Sequence, residues 1–333
     1  MASTLASMSN RRYGVRRAQG LWGERRREQA MHEPDDFGLS PVATLAHVGD
    51  ARHARQHQAF WSAFHEALRA VTPRLRPRPA RDMDASDAGC DSEFEGLRHV
   101  RVGCRVLEPE GRARAGLVAL HGYESPTPTR EEEPRWAALR AAGVRVLLLR
   151  VRGYAGSRLD CGDWTTEPHG WLCRGLDATP ANPASPRAED LLAWSLPQGV
   201  ADVVHACRAL LATLPEGARV SLAGESFGGA LAVLAGAALT HGADAREHPE
   251  RVVIGLPSLG DWPWRLGPAT PAGGSGSGSA GATPRCGAGA GRAVREFLTL
   301  HASREEELVE RLRLFDTVVH APRVRAPALV KLA

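Results

Sequence analysis

The chain has 333 residues, 43% of them hydrophobic and 24% charged, with a formal net charge of +4. That composition is ordinary for a soluble globular protein of one or two domains, and the lack of any run of 18 apolar residues excludes a transmembrane span. Lys331 is the sole lysine, and no basic patch with interleaved aromatics marks a nucleic-acid footprint.

In chain order, residues 1–45 show no sustained periodicity and read as a disordered, Arg-rich extension. The first 30 residues hold seven arginines against two acids but no apolar segment of the kind a secretory signal needs. An Arg-rich organellar transit peptide is the alternative reading of that segment. From His53 to Ala70, Phe60, Phe64 and Leu68 recur at helical spacing, and the prolines from Pro73 onward end that helix. His99 to Val106 alternates, with Val100, Val102, Cys104 and Val106 on one face, which predicts a half-buried strand.

Two continuous apolar runs follow, Gly116–Leu120 and Val144–Leu149, separated by a stretch of helical composition from Glu133 to Ala142. Strand, helix, strand in that order predicts a parallel pair. A second cycle has a helix from Gln198 to Leu214, a strand at Arg219–Ala223, an apolar helix from Ala230 to Leu239 and a strand at Arg251–Gly255. A last pair is a charged helix from Ser303 to His320 and a strand from Pro327 to Leu332. The alternation predicts an α/β fold with a doubly wound, mostly parallel sheet, whose ligands bind at the carboxyl ends of the strands. Residues 272–292, almost all Gly, Ser and Ala, interrupt it and read as a flexible surface insertion placed where a lid could lie.

Between the Val220 strand and the apolar helix stands Gly224-Glu225-Ser226-Phe227-Gly228-Gly229. A serine on so tight a strand-to-helix turn is a nucleophile elbow, with small residues two places either side letting the backbones pass. Ser226 is therefore the candidate nucleophile. The six cysteines (Cys90, Cys104, Cys161, Cys173, Cys207, Cys286) include no C-x-x-C pair and no Cys/His pair at metal-ligand spacing. They predict free, mostly buried thiols in a cytoplasmic protein, with neither metal nor cofactor.

His121-Gly122-Tyr123, Arg152-Gly153-Tyr154-Ala155-Gly156-Ser157 and Gly170-Trp171-Leu172-Cys173-Arg174-Gly175-Leu176 stand in the order and spacing of the acetyl xylan esterase and cephalosporin C deacetylase family. Phe60-Trp61, Leu314-Phe315-Asp316 and Ala326-Pro327-Ala328-Leu329 extend the likeness to roughly residues 55–333. The chain resembles that family of α/β hydrolases and departs from it at Tyr154, at Ala155, at Phe227 where the family has Gln, and in the Gly/Ser insertion.

The resemblance implies a serine carboxylesterase that removes O-acetyl groups from xylo-oligosaccharides or similar small esters, with no nucleic-acid or membrane partner and a homo-oligomeric assembly. It assigns the oxyanion hole to the backbone N–H groups of Phe227 and Tyr123. Trp262 and Trp264, after a strand end, are the aromatics expected to line the pocket, whereas Trp164, Trp171 and Trp194 read as core. Arg152 and Arg174 match positions that order loops near the site, and His121 reads as structural.

The family presents its acid and then its histidine after the last strand. Family members continue there with a Gly-x-x-Asp segment and a later histidine, so the resemblance implies a chain incomplete at its C-terminal end. Asp261 with His301 or His320 is the internal substitute, which the family pattern disfavours. The alternative reading is thus a catalytically inactive hydrolase-like protein that lacks the Asp/His relay.

Overall fold

In a computed structural model, the structure describes residues 42, 46–78, 89–123, 130–157, 164, 170–178, 190, 192–242, 244–267 and 290–331. All the strands and the helices discussed below belong to one compact unit, Val48–Pro268 with Pro284–Ala333. The other unit, Met1–His47 with Ala269–Thr283, falls almost wholly outside the described residues. The expected N-terminal extension (Val42 apart) and residues 272–289 of the expected insertion lie outside them too.

The apolar runs pair because a strand covered on both faces can be apolar throughout. They become β4 (Ala115–Leu120), β5 (Val144–Leu149), β6 (Val220–Glu225) and β7 (Val252–Gly255), joined by β8 (Ala328–Lys331). β5, β4, β6, β7 and β8 are parallel neighbours in that order. Antiparallel β3 (Arg101–Leu107), β2 (Ser92–Glu95) and β1 (Arg76–Pro77) extend the β5 side, giving eight strands in the order β1-β2-β3-β5-β4-β6-β7-β8. In β3 three consecutive residues, Val102, Gly103 and Cys104, are buried, so the alternation expected there gives way to cover on both faces.

The helices follow the chain as α1 (His57–Arg69), α2 (Ala137–Ala141), α3 (Gly170–Cys173), α4 (Ser195–Leu211) and α5 (Phe227–Thr240). Then come α6 (Trp262–Leu266), α7 (Ala290–Leu300), α8 (Glu305–Arg313) and α9 (Thr317–His320). Every residue of α5 is buried, because β6 and β7 cover one side while α4 and α9 cover the others. An all-round apolar helix is stable only in such a position. Truncating the fully buried Leu231 to Ala therefore costs about 2–5 kcal/mol.

A second core seam is aromatic. Phe315 packs against Phe60, Trp61, Phe64 and Trp194 at ring separations of 5.3, 5.2, 5.9 and 5.4 Å. Trp61 Nε1 donates to the Leu314 carbonyl at 3.0 Å, which fixes α1 on the turn between α8 and α9. That turn corrects the single helix expected over Ser303–His320. The chain breaks at Leu314–Asp316, and the Asp316 carboxylate caps α9 by accepting from the Val318 N–H at 2.9 Å. A further correction is α7, which takes in Ala290, Gly291 and Arg292 from the end of the Gly-rich segment.

Candidate active site

The site is built where β6 turns into α5. Ser226 has φ 57° and ψ −117°, a conformation that costs a non-glycine residue on the order of 1–3 kcal/mol and persists only when the surroundings impose it. They do so through hydrogen bonds. The Ser226 N–H donates to the Gly255 carbonyl at 2.8 Å, and its own carbonyl accepts from the Ser258 and Ala230 N–H groups at 3.2 and 3.0 Å. Close approach supplies the rest: a Cβ on Gly224 would strike the Gly228 backbone, and one on Gly228 would lie 2.6 Å from the Leu120 carbonyl oxygen. The two glycines let α5 leave directly over the ends of β4 and β6, with Ser226 half-buried at the top.

Phe227 is the first residue of α5, so its N–H has no acceptor within the helix and points out of the positive end of the helix dipole. Its side chain is fully buried among Tyr123, Trp171 and Tyr154, at ring separations of 5.5, 5.2 and 6.3 Å. The side chain thus goes into the core, where a phenyl ring packs among other aromatics.

Tyr123, at the end of β4, is held at both ends. Its carbonyl accepts from the Tyr154 hydroxyl at 3.0 Å, and its own hydroxyl accepts from the Leu172 N–H at 3.0 Å. Tyr154, a departure from the family pattern in sequence, is therefore what anchors this turn. Of the expected site residues, Tyr123 and Phe227 are in ring contact at 5.5 Å, and Ser226 immediately precedes Phe227.

Arg152 and Arg174 part company. Arg152 is buried and bonded to Asp202, Leu97 and Gln198, whereas Arg174 is exposed with its guanidinium 4.9 Å over the Trp164 ring. His121 is buried, with Nδ1 on the Gly122 carbonyl at 2.9 Å and Nε2 accepting from the Val151 N–H at 3.4 Å. Burial pulls its pKa down to about 4, and the ring is a neutral structural link. Trp164, Trp171 and Trp194 are in the core, as expected.

Trp262 corrects its expectation. Its indole has no accessible surface, because α6 turns it inward, so it offers no face to a ligand; Trp264 is half-buried. Asp261 has a left-handed backbone, and its carboxylate accepts from the Asp50 N–H at 3.3 Å. Asp316 in turn accepts from the N–H groups of Asp261 and Trp262 at 2.8 and 3.0 Å. Asp261 is thus part of a buried clamp that no sequence pattern announced.

Neither candidate histidine is hydrogen-bonded to Ser226. His320 Nε2 bonds to the Leu314 carbonyl at 2.9 Å and its ring lies 4.5 Å from Trp61, facing the C-terminal turn of α5. The 14 residues of that helix put it about 20 Å from Ser226. His301 closes α7, its ring 4.4 Å from Phe297. Among the described residues no imidazole hydrogen-bonds Ser226, and no group of three His, Cys, Asp or Glu side chains is arranged to hold a metal ion. Cys104, Cys173 and Cys207 are free and buried, and Cys90 is buried beside Arg150. No helix among the described residues is long and apolar enough to cross a membrane.

A sequence model of the acetyl xylan esterase family matches residues 44–263, a span that contains both the Tyr123 turn and the elbow. No curated protein sequence matches the chain. Among solved structures, acetyl xylan esterase 1 from Thermoanaerobacterium sp. JW/SL YS485 is similar with a TM-score of 0.63 at 18% identity, over 89% of this chain and 92% of that one. An acetyl xylan esterase from Paenibacillus sp. R4 gives 0.59 at 16% identity, over 88% and 92%. At such identities the likeness speaks for the fold. The family match and the sheet order together give the conclusion that the chain belongs to the acetyl xylan esterase family of carboxylic ester hydrolases, built on the α/β-hydrolase fold.

Proposed function

We propose that the chain is a serine carboxylesterase that removes O-acetyl groups from acetylated xylo-oligosaccharides or similar small acetyl esters. The observation that carries this reading is the strained Ser226 at the N-terminus of α5, beside the anchored Tyr123 turn. Ser226 Oγ attacks the acetyl carbonyl carbon and gives up its proton as the C–O bond forms. The carbonyl electron pair moves to oxygen, where the N–H groups of Phe227 and Tyr123 receive the charge. One such donor is worth about 3–4 kcal/mol in the barrier. As the carbonyl re-forms, the bond to the sugar oxygen breaks and that oxygen takes the proton lost by Ser226, leaving as the hydroxyl; water then releases acetate by the same steps. A cytoplasmic location belongs to this reading and rests on the buried thiols of Cys104, Cys173 and Cys207, which form no disulfide.

Among the described residues no imidazole is hydrogen-bonded to Ser226, and that observation favours a second reading, a hydrolase-like protein without a relay. Loss of Asp and His from such a triad costs on the order of 10⁴–10⁶ in turnover. Acetate release from acetylated xylo-oligosaccharides, by the chain and by Ser226→Ala, separates the two. A rate that depends on Ser226 supports the esterase, and equal background rates support the inactive reading.

A further inference from the structure

At the end of α5 away from Ser226, a cavity of about 500 Å³ opens between that helix, α1 and the segment after α9. Its floor holds three buried histidines, His57, His65 and His320, and its rim carries His53, His241, Arg323 and Arg325. Among the described residues no Asp or Glu lines it. The imidazoles touch in series: His53 stacks on His57 at 4.3 Å, His57 meets His320 at 5.3 Å, and His65 meets His241 at 4.7 Å. Neither ring nitrogen of buried His57 has a hydrogen-bond partner.

A neutral imidazole carries one donor and one acceptor, so both demands of His57 go unmet in an otherwise packed wall. Against the partial negative charge of the C-terminal turn of α5, every charged side chain that bears on these histidines is cationic. Arg323 bears on all three floor histidines, and Arg69 and Arg208 bear on His65, while Glu247 is taken by Arg208 at 2.9 Å. Arg323 and Arg325 form no ion pair among the described residues. A cavity ringed by donors, without a carboxylate and with no arrangement suited to a metal ion, selects an anion over a cation. Two guanidinium forks beside several imidazoles suit a ligand with three or more acceptor oxygens rather than a monocarboxylate.

We propose that this cavity binds an oxyanion of the phosphate class, inorganic phosphate or the phosphate of a small phosphomonoester, between the Arg323 and Arg325 guanidinia and the imidazoles of His57, His65 and His320. Burial, reinforced by the neighbouring cations, pulls His57 down to about 3 and His65 and His320 down to about 4, so the empty floor is neutral near pH 7. The negative charge of a bound dianion favours the protonated imidazoles and raises those pKa values, so binding takes up protons and tightens as pH falls.

Calorimetric titration of the full chain with inorganic phosphate and with glycerol 1-phosphate tests the assignment, the pair distinguishing free phosphate from a monoester. Saturable binding of at least one probe is expected, weakened about tenfold or more by Arg323→Ala/Arg325→Ala, two exposed positions whose change leaves the fold intact. Sulfate, dianionic throughout, is expected to bind more tightly at about pH 5.5 than at about pH 7.5, and His57→Phe, which keeps the ring stack, should reduce that difference. No saturable binding of either phosphate probe, or affinity unchanged in the double arginine variant, overturns the proposal.

Discussion

The guanidinium of Arg152 and the carboxylate of Asp202 are sealed together in the core, Nη2 2.5 Å from Oδ1, with neither side chain exposed. The Arg152 backbone N–H donates to the same carboxylate at 2.9 Å, and the Arg152 carbonyl accepts from Trp171 Nε1 at 2.7 Å. One pair thus ties the turn after β5 to α4 and to the aromatic cluster behind Phe227. Arg152→Met leaves the Asp202 charge buried without its partner and should cost about 3–5 kcal/mol. Replacing both residues by apolar ones should recover part of that loss. Urea unfolding of the single and double variants measures it, and a single variant as stable as the parent would remove the pair from the account.

Gly228→Ala tests the close approach beneath the elbow. Its Cβ would lie 2.6 and 2.8 Å from the Leu120 and His121 carbonyl oxygens, so β4 and α5 must separate and the Tyr123 turn must shift relative to Phe227. Esterase turnover should fall at least about tenfold, with about 1–3 kcal/mol of stability. Gly111→Ala, with nothing within 4 Å of the new methyl, should change neither.

Acid should destabilise the fold through its buried histidines. Burial pulls His121 and His320 down to about 4 and His205 down to about 3. Their folded pKa values lie below the unfolded value of about 6.5, so the unfolded chain binds more protons in that window. Stability is then full above about pH 6.5 and is lost as pH falls toward 4, with a slope approaching about 1.4 kcal/mol per pH unit for each histidine. Urea midpoints measured between about pH 7 and pH 5 check this, and a flat profile contradicts it.

The central strands and the elbow were legible because their signals are local. Continuous apolar runs named β4 to β7, and a serine between small residues named the turn. The β1–β2 hairpin was not legible, since Ser92–Glu95 is polar and buries only Phe94. α7 was hidden by a start inside a Gly-rich segment, and Pro197 and Gly199 in the first turns of α4 hid only its start, which lies at Ser195 and not at Gln198. Trp262 misled because position after a strand end does not reveal which way a short helix turns its side chains. The Asp316 clamp and the histidine cavity join residues more than 50 positions apart, which no single-sequence pattern records.

β8 should make the protein self-associate. Its residues are all exposed, Leu329 at 67% and Val330 at 50%, and its outer edge has no pairing strand among the described residues. An apolar unpaired edge is a template for another chain. Leu329→Lys should shift the population toward monomer in light scattering coupled to size exclusion, and an unchanged distribution would place association elsewhere.

The nucleophilic role of Ser226 is tested most directly by trapping the acyl-enzyme. The chain is mixed with p-nitrophenyl acetate, quenched in acid and digested, and the peptide carrying Ser226 is weighed. The account predicts one acetyl group on Ser226, and none there in Ser226→Ala. An unmodified Ser226 peptide, with ester hydrolysis no faster than that of the alanine variant, would contradict it.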